Sequence, residues 1–435
     1  VTAKLSANSL PSTVPQRCRL SVRGTVQGVG FRPFLYRRAL ARALSGFACN
    51  DGRGVCVEIQ GRAEDIAGFI EDVRTAAPPQ ADVRDVAVTD IPPTAGDGFE
   101  IRDSRRAGAV STELSPDLGT CDTCLAETLD PGNRRYRYPF TNCTDCGPRY
   151  SIVRDLPYDR ARTAMDAFPL CPACAAEYVN PGSRRFHAEA NACPACGPRV
   201  MLCVPDGTVL AQGFDAVPAA ARVLRRGGIV AFKGLGGFQL LTDARNEEAV
   251  ARLRARKQRP DKPLAVMLPA LADVLAACEI SSAEADLLTG RERPVVLLRR
   301  RPDAAVADGV APEGNPYLGV MLPATPLHHL LLRETGFALV ATSGNRSEEP
   351  IAIANDEARE RLAGIADAFL LHDRDIVRAV DDSVTRIHCG RLQILRRARG
   401  YAPAALAARV QPGILALGGH LKATVALSRD GDIIL

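Results

Sequence analysis

The sequence predicts a multidomain chain that combines α+β and α/β folds. Three observations carry that expectation. Residues 16–104 run through strand and helix patterns in the order β-α-β-β-α-β. Residues 121–202 hold two gapless copies of one cysteine-rich segment. Residues 206–405 set apolar strand runs between helices, the pattern of an α/β sheet. A length of 435 residues suits two to four domains.

Bulk composition excludes little beyond this. With 46% hydrophobic and 24% charged residues the chain reads as an ordinary globular protein. Its net charge of +5 neither demands nor excludes an acidic partner. No run of 18 apolar residues predicts a membrane span, and VTAKLSANSLPSTVPQ has no apolar signal core. The expected compartment is the cytoplasm. Fourteen cysteines fit that setting only if most have a purpose other than disulfides. Six of them (Cys18, Cys49, Cys56, Cys203, Cys278 and Cys389) are scattered and read as small buried apolar residues.

In residues 16–104, CRLSVRGTV alternates as a strand, with Cys18, Leu20 and Val22 on one face. RPFLYRRALARAL is a helix with Pro33 in its first turn, where the missing N–H costs nothing. VCVEI is another strand. AEDIAGFIEDV places Ile66, Phe69, Ile70 and Val73 on one helical face. Val86, Val88, Phe99 and Ile101 mark further strands. This order is the ferredoxin-like split unit. Its first strand-to-helix loop, TVQGVGFRPF, aims successive N–H groups of Gln27, Gly28, Val29, Gly30, Phe31 and Arg32 at one point, which suits an anion. The Arg32 guanidinium adds a permanently charged fork. A tight turn carrying a surface arginine is the alternative.

The segments VQGVGFRPFLYRRA and LSGFACNDGRGVCVEIQG resemble the acylphosphatase signature. That resemblance implies a phosphate held by Arg32 and an attacking water oriented by Asn50, eighteen positions later. Acyl phosphates are already activated, so positioning a water against a neutralised phosphate suffices.

Residues 105–205 form the duplicated module. CDTCLAETLDPGNRRYRYPFTNCTDCGPRYSI aligns with CPACAAEYVNPGSRRFHAEANACPACGPRVML at an offset of 50. Each copy has the spacing C-x2-C-x18-C-x2-C, within the range of a zinc ribbon. The simplest pairing gives one structural Zn2+ to Cys121, Cys124, Cys143 and Cys146, and a second to Cys171, Cys174, Cys193 and Cys196. Pairing across copies, and redox chemistry of the CxxC pairs, are the alternatives. His187 is a spare ligand at most. NRRYRY and SRRFH interleave basic and aromatic residues, so RNA binding stays open. A solvated or interdomain face is the preferred reading.

In residues 206–405, Ile229 to Phe232, PVVLLRR, FALVATSGN and DAFLLHD read as buried strands. KQRPDKP supplies Lys257, Arg259 and Lys262. TSGNRSEEP offers Ser343 and Asn345 at a strand end, a usual ligand position in such sheets. DDSV offers Asp382 and Ser383. His328 and His329 fit either catalysis or packing, and RRARGYAP is a cationic terminus facing the ligand. Together these clusters resemble the YrdC/Sua family, which makes acyl adenylates from ATP and a carbamate-type acid. The resemblance implies nucleotide binding by Lys257, Arg259, Lys262, Ser343, Asn345 and Ser383, with ATP and Mg2+ as substrate. The family's threonine near the first glycine turn is missing from KGLGGFQL, which points to a different acid.

Residues 412–435 read as strand, glycine turn and strand, with a second turn at Asp430-Gly431. They resemble the first hairpin of an actin-like or sugar-kinase-like domain. They end on an apolar strand expected to be an unpaired edge, so the chain reads as an N-terminal fragment. In this order the four units resemble the HypF family, the carbamoyltransferases of [NiFe]-hydrogenase maturation. The resemblance implies hydrolysis of carbamoyl phosphate, adenylation of carbamate, and a HypE-like protein acceptor. A tRNA-modifying YrdC-type protein and a small-molecule O-carbamoyltransferase are the competing classes.

Overall fold

The computed structural model describes residues 15–105, 112–347, 349–408, 410–419, 424–429 and 431–435. Among these residues the chain forms three sheets and a sheet-poor module between the first two.

The first sheet uses β1 (Gln16–Thr25), β2 (Ser45–Asp51), β3 (Gly54–Gly61), β4 (Asp82–Asp90) and β5 (Phe99–Ile101), in the order β4-β1-β3-β2-β5. Helices α1 (Phe31–Ala41) and α2 (Ala63–Thr75) complete the split unit. Leu20 and Val22 of β1 share a core with Leu35 of α1 and with Phe69 and Val73 of α2. This is the face the alternation of β1 assigns. Strand β2 behaves differently. Phe47, Ala48, Cys49 and Asn50 are buried in succession, so its run carries no period of two. Arg102 and Arg105 cover its second face by stacking on the Phe47 ring.

The module follows. Helix α3 (Asp122–Leu129) starts after Cys121, and α4 (Pro172–Val179) starts after Cys171. Its last strand, β6 (Val200–Cys203), does not stay in the module. It pairs with the central sheet of the next unit.

That sheet also contains β7 (Val209–Gln212), β8 (Val230–Lys233), β9 (Phe238–Asp243), β10 (Ala265–Met267), β11 (Cys278–Glu279), β12 (Val295–Arg300), β13 (Tyr317–Met321), β14 (Leu339–Ser343), β15 (Ala368–His372), β16 (Val384–His388) and β17 (Arg391–Arg396). The order is β17-β16-β12-β13-β10-β14-β9-β8-β15-β6-β7, with β11 beside β12. Helices α5 (Ala216–Arg225), α6 (Glu247–Lys257), α7 (Leu271–Ala277), α8 (Ser282–Thr289), α9 (Pro326–Thr335) and α10 (Asn355–Leu362) accompany it. Two apolar layers form: one around Val250, Leu253, Val266 and Phe369, the other around Leu224, Phe232, Leu331 and Leu370. Because the central strands are buried on both faces, they read as continuous apolar runs.

The third sheet is small. β18 (Leu406–Ala407), β19 (Leu415–Leu417), β20 (Val425–Arg429) and β21 (Asp432–Ile434) pair in the order β18-β21-β20-β19. The final strand is therefore not the unpaired edge the sequence suggests. Leu406 and Ala407 return to pair with Ile433 and Asp432. Two residues are too short a run to show a pattern. Asp430, half of the expected turn, lies outside the described residues. Of the scattered cysteines, Cys18, Cys49, Cys203 and Cys278 are buried and Cys56 half-buried, whereas Cys389 is exposed at a left-handed turn with φ 48°. Among the described residues no helix is long and apolar enough to cross a membrane.

Candidate functional site

The loop between β1 and α1 takes the shape its glycines permit. Gly28 and Gly30 have φ of 75° and 72°, and Gly30 caps α1 in the left-handed region. Among the described residues, the amides of Val29, Gly30, Phe31 and Arg32 have no backbone acceptor. They remain available to an anion at the helix start. Gln27 is structural: its amide donates to the carbonyls of Asp51 and Gly54, tying the loop to the β2–β3 turn.

The module roofs this loop. Thr144, Arg149, Tyr158, His187, Ala188 and Glu189 line the same small cavity as Arg32 and Asn50. A Cβ on Gly28 would lie 3.2 Å from the Arg149 side chain, and one on Gly30 3.3 Å from Thr144. The glycines therefore serve the approach of the module as well as that of an anion. Arg32 is buried and donates to Glu189 at 2.7 Å and Asp159 at 3.2 Å. Burial opposes its charge, but Glu189 and Asp159 hold the guanidinium above its ordinary value. Burial pushes the Glu189 carboxyl up, against the pull of Arg32. Tyr178 OH and the Arg160 amide also donate to Glu189. Asn50 donates to the Tyr158 carbonyl at 3.3 Å, while its Oδ1 is buried without a partner. Such an acceptor can hold a water proton. Among the described residues none of the roof residues joins a metal-ligand group. His187 in particular faces the cradle, and burial, then the Arg32 charge, lowers its pKa to about 3.

The eight paired cysteines fall into two groups, Cys121, Cys124, Cys143, Cys146 and Cys171, Cys174, Cys193, Cys196, each with all sulfurs within 4.8 Å of one another. The structure thus groups them within copies. Sulfur separations of 3.9 Å in the first group and 3.7 and 3.8 Å in the second match the edge of a tetrahedron about 3.8 Å across, set by Zn–S bonds of about 2.3 Å. The donor set therefore fits zinc in closed, structural sites. Bound there, zinc supplies cohesion to segments with little apolar core.

The arginines of each PGxRR segment reach across to the other copy. Arg184 donates to the sulfurs of Cys121, Cys124 and Cys143. Arg134 donates to Cys174 Sγ at 3.3 Å. Arg135 binds Glu177 and Asn191, and Arg185 binds Glu127. These cations stabilise thiolates and lock the two copies together, so they do not form a solvated basic face.

In the large sheet the sequence clusters meet at the end of β14. Lys257 donates to the Ser343 carbonyl and, at 3.3 Å, to Asn345 Oδ1. Ser343 Oγ donates to Asn345 Oδ1 at 2.6 Å. Arg259 reaches Thr342 Oγ1 at 3.2 Å, and burial, then Arg254 and Arg396, lower its pKa to about 10. Cations crowded in this way, Lys257 buried and Arg259 half-buried, favour an anionic ligand. Lys262 is exposed and lends its carbonyl to Arg254 and Arg259. Ser383 is buried and donates to the Arg399 carbonyl while accepting from the Ala398 amide, which fastens the RRARG segment. Sequence reasoning missed Gln239. Its amide donates to Asp382 at 2.7 Å and its Oε1 faces His328 Nε2 at 3.0 Å. His328 Nδ1 in turn meets Thr325 Oγ1 at 3.1 Å. Burial, then Arg399 and His329, lower the His328 pKa to about 3, so the ring is a neutral link in this chain.

Comparisons with known proteins match these units in order. The acylphosphatase model covers residues 18–101, and the HypF finger model residues 120–153 and 170–203. The Sua5/YciO/YrdC model, described as telomere recombination, covers residues 222–398. The chain is 51% identical to the carbamoyltransferase HypF2 of Cupriavidus necator, over 97% of this chain and 54% of that protein. It is 49% identical to the carbamoyltransferase HypF of Synechocystis, over 95% and 54%. It superposes on the crystal structure of full-length HypF in the phosphate- and nucleotide-bound form with a TM-score of 0.92 and 42% identity, over 98% of this chain and 56% of that one. The chain spans about half the length of the curated relatives it matches. An acylphosphatase unit, paired four-cysteine fingers and a Sua5/YrdC unit on one chain define the class of multidomain proteins to which the relatives named carbamoyltransferases belong. Within that class the chain belongs to the HypF family.

Proposed function

We propose that the chain performs the first two steps of a hydrogenase-maturation carbamoyltransferase. In the cradle, carbamoyl phosphate and water give carbamate and phosphate. Arg32 and the amides of residues 27–32 hold the phosphoryl group, and Asn50 Oδ1 orients the water. In the large α/β unit, carbamate attacks the α-phosphate of ATP with Mg2+, giving carbamoyl adenylate and pyrophosphate. Lys257, Arg259 and Lys262 neutralise the triphosphate there, and Ser343, Asn345 and Ser383 shape its site. From there the carbamoyl group passes to the C-terminal cysteine of a HypE-like acceptor in the cytoplasm. We assign residues 16–104 to hydrolysis, 105–205 to the fingers, 206–405 to adenylation and 412–435 to the start of an actin-like domain.

The observation that carries this reading is the cradle itself. A buried Arg32 already holding a carboxylate, beside a buried and unpartnered Asn50 Oδ1, offers an anion site and a water acceptor together. The test is ATP–pyrophosphate exchange with carbamoyl phosphate, compared with threonine plus bicarbonate. Exchange with carbamoyl phosphate is expected. Exchange only with threonine would replace this reading by the tRNA-modifying one. Arg32→Ala should abolish acyl phosphate hydrolysis, while Lys257→Ala should stop exchange and spare hydrolysis.

A further inference from the structure

Arg149 belongs to the first finger copy, yet its side chain ends against the loop between β1 and α1. The residue is buried to 3% exposure, and among the described residues its guanidinium donates to carbonyls and to no carboxylate. Nη1 donates to the carbonyls of Cys146 and Pro148 at 3.1 and 2.8 Å. Nη2 donates to those of Cys143 and Thr144 at 3.2 and 2.8 Å. Nε donates to the Gly28 carbonyl in the loop. These bonds use all five N–H donors of a guanidinium. Four acceptors lie on residues 143–148, the knuckle that carries Cys143 and Cys146 of the first sulfur group. The fifth lies in the acylphosphatase unit. With no donor to spare, Arg149 is not an anion ligand in the manner of Arg32.

Its effect passes through one peptide plane. The bond from Gly28 to Val29 is trans, so the Gly28 carbonyl and the Val29 amide point opposite ways across a rigid unit. Holding the carbonyl on Arg149 therefore fixes the direction of the Val29 N–H. Gly28, at φ 75°, leaves this plane free to turn as few other residues would, so an external hold has a purpose. The N–H so fixed is one of the four without a backbone acceptor at the start of α1. Val29 is 0% exposed, so this donor reaches neither solvent nor, among the described residues, an acceptor. A buried donor left in that state is costly, and an anion at the helix start removes the cost. We propose that Arg149 is a positioning residue for the phosphate loop, which turns the Val29 N–H to the phosphoryl group and makes the first finger a working part of the acylphosphatase unit. The assignment rests on the function proposed above for that loop. Arg199, the equivalent residue of the second copy, is exposed and holds no loop in this way.

The test uses the full chain with its zinc. Inorganic phosphate is titrated in and followed by 15N–1H spectra and by inhibition of acyl phosphate hydrolysis. In the wild type, phosphate should shift the Val29 amide resonance together with those of Gly30 and Phe31. In Arg149→Lys a carbon replaces Nε, and the ammonium sits one bond farther on, toward the knuckle carbonyls. The knuckle keeps its cation while the Gly28 carbonyl loses its donor. Zinc content and Tm should stay near those of the wild type. Phosphate inhibition should weaken about tenfold, KM should rise in parallel with kcat changed less, and the Val29 shift should vanish. Arg149→Met should weaken phosphate as much, and Arg199→Met should leave phosphate affinity unchanged. A merely structural arginine would move zinc content or Tm and spare the Val29 shift. Wild-type phosphate inhibition in Arg149→Lys would overturn the assignment. So would a wild-type Val29 amide that ignores phosphate while Gly30 and Phe31 respond, a result that depends on neither variant folding. A wild type that binds no phosphate refutes the functional reading of the loop and this assignment with it. A wild type that binds phosphate, with both Arg149 variants unaltered, refutes this assignment alone.

Discussion

The two finger copies share their spacing and their sulfur geometry, yet they face different neighbours. Arg137 of the first copy and His187 of the second are equivalent under the offset of 50. Both adopt left-handed backbone, at φ 57° and 50°. Their amides bond Thr128 and Tyr178, again equivalent positions. From this shared elbow the side chains diverge. In the first copy Arg137 pairs with Glu334 of the α/β unit, and Phe140 packs against His372. In the second copy His187 and Glu189 roof the acylphosphatase loop. Further along, the roles cross over. Arg149 of the first copy binds the Gly28 carbonyl, whereas the Arg199 amide of the second binds Asp373. One duplicated scaffold thus presents two faces to two domains, and the difference lies in a few side chains.

The largest expected effect tests whether the two copies stand or fall together. Structural zinc contributes on the order of 10 kcal/mol in small modules. Because Arg184 caps the first sulfur group and Arg134 the second, loss of either ion should loosen both copies. Cys124→Ser and Cys174→Ser should each release the module to proteolysis and lower zinc from about two per chain. In the second group Cys171 and Cys196 are half-buried, while in the first only Cys121 is. A chelator should therefore remove the second ion first, a difference that metal release kinetics would show. Equal release would mean that the shared arginine lock, not exposure, controls access.

The next effect ranks the lock itself. Among the described residues Arg135 makes hydrogen bonds to Ala192, Glu177 and Asn191, whereas Arg185 reaches Asn142 and Glu127. Breaking such a buried pair costs about 3–5 kcal/mol. Arg135→Met should sit at the upper end and Arg185→Met below it, as read from denaturant midpoints. The reverse ranking would show that packing, not pairing, sets the cost.

Acid should separate the two elbows. His187 has a folded pKa of about 3 against an ordinary 6.5. Below pH 6.5 the unfolded chain takes a proton that the folded chain refuses, so stability falls as pH drops toward 3. The loss from this residue is about 3 kcal/mol near pH 4.5, two pK units at about 1.4 kcal/mol each. His187→Gln should flatten the acid limb of the unfolding profile, while Arg137→Gln, at the equivalent elbow, should leave its slope unchanged.

What the sequence could show follows from these contacts. Local patterns were legible. The split β-α-β-β-α-β unit, the cysteine spacing and the offset of 50 all lie within short windows, and so does the K-x-R run at the end of α6. Partners that meet across domains were not. Nothing in HAEANA shows that Glu189 meets Arg32, 157 residues away in the chain. Arg135 and Arg185 look like solvated cations until the second copy folds onto the first. Lys233 opens the glycine turn KGLGG, and nothing local marks it as a buried cation. The short strand Leu406–Ala407 carries too few residues for any period, so the pairing of β21 could not be read.

The smallest effect concerns the roof of the cradle. Glu189 holds Arg32 with a carboxylate where the proposed function seats a phosphate, and two anions cannot share one guanidinium without repulsion. Substrate therefore has to displace Glu189 or find it protonated, and burial already favours the neutral acid. Glu189→Gln keeps an acceptor for Arg32 and for Tyr178 OH but removes the charge. Phosphate should then inhibit acyl phosphate hydrolysis roughly tenfold more tightly, a gain of about 1.4 kcal/mol, modest for a charge pair at this depth. KM should fall in parallel while kcat changes less, because the lost repulsion acts on substrate and transition state alike. The equivalent position of the first copy is Pro139, which faces the other domain, so Pro139→Ala should leave phosphate inhibition unchanged. A Glu189→Gln chain with unaltered phosphate affinity would mean that the carboxylate swings clear before substrate arrives. The second copy would then be a hinged roof and not a competitor for Arg32.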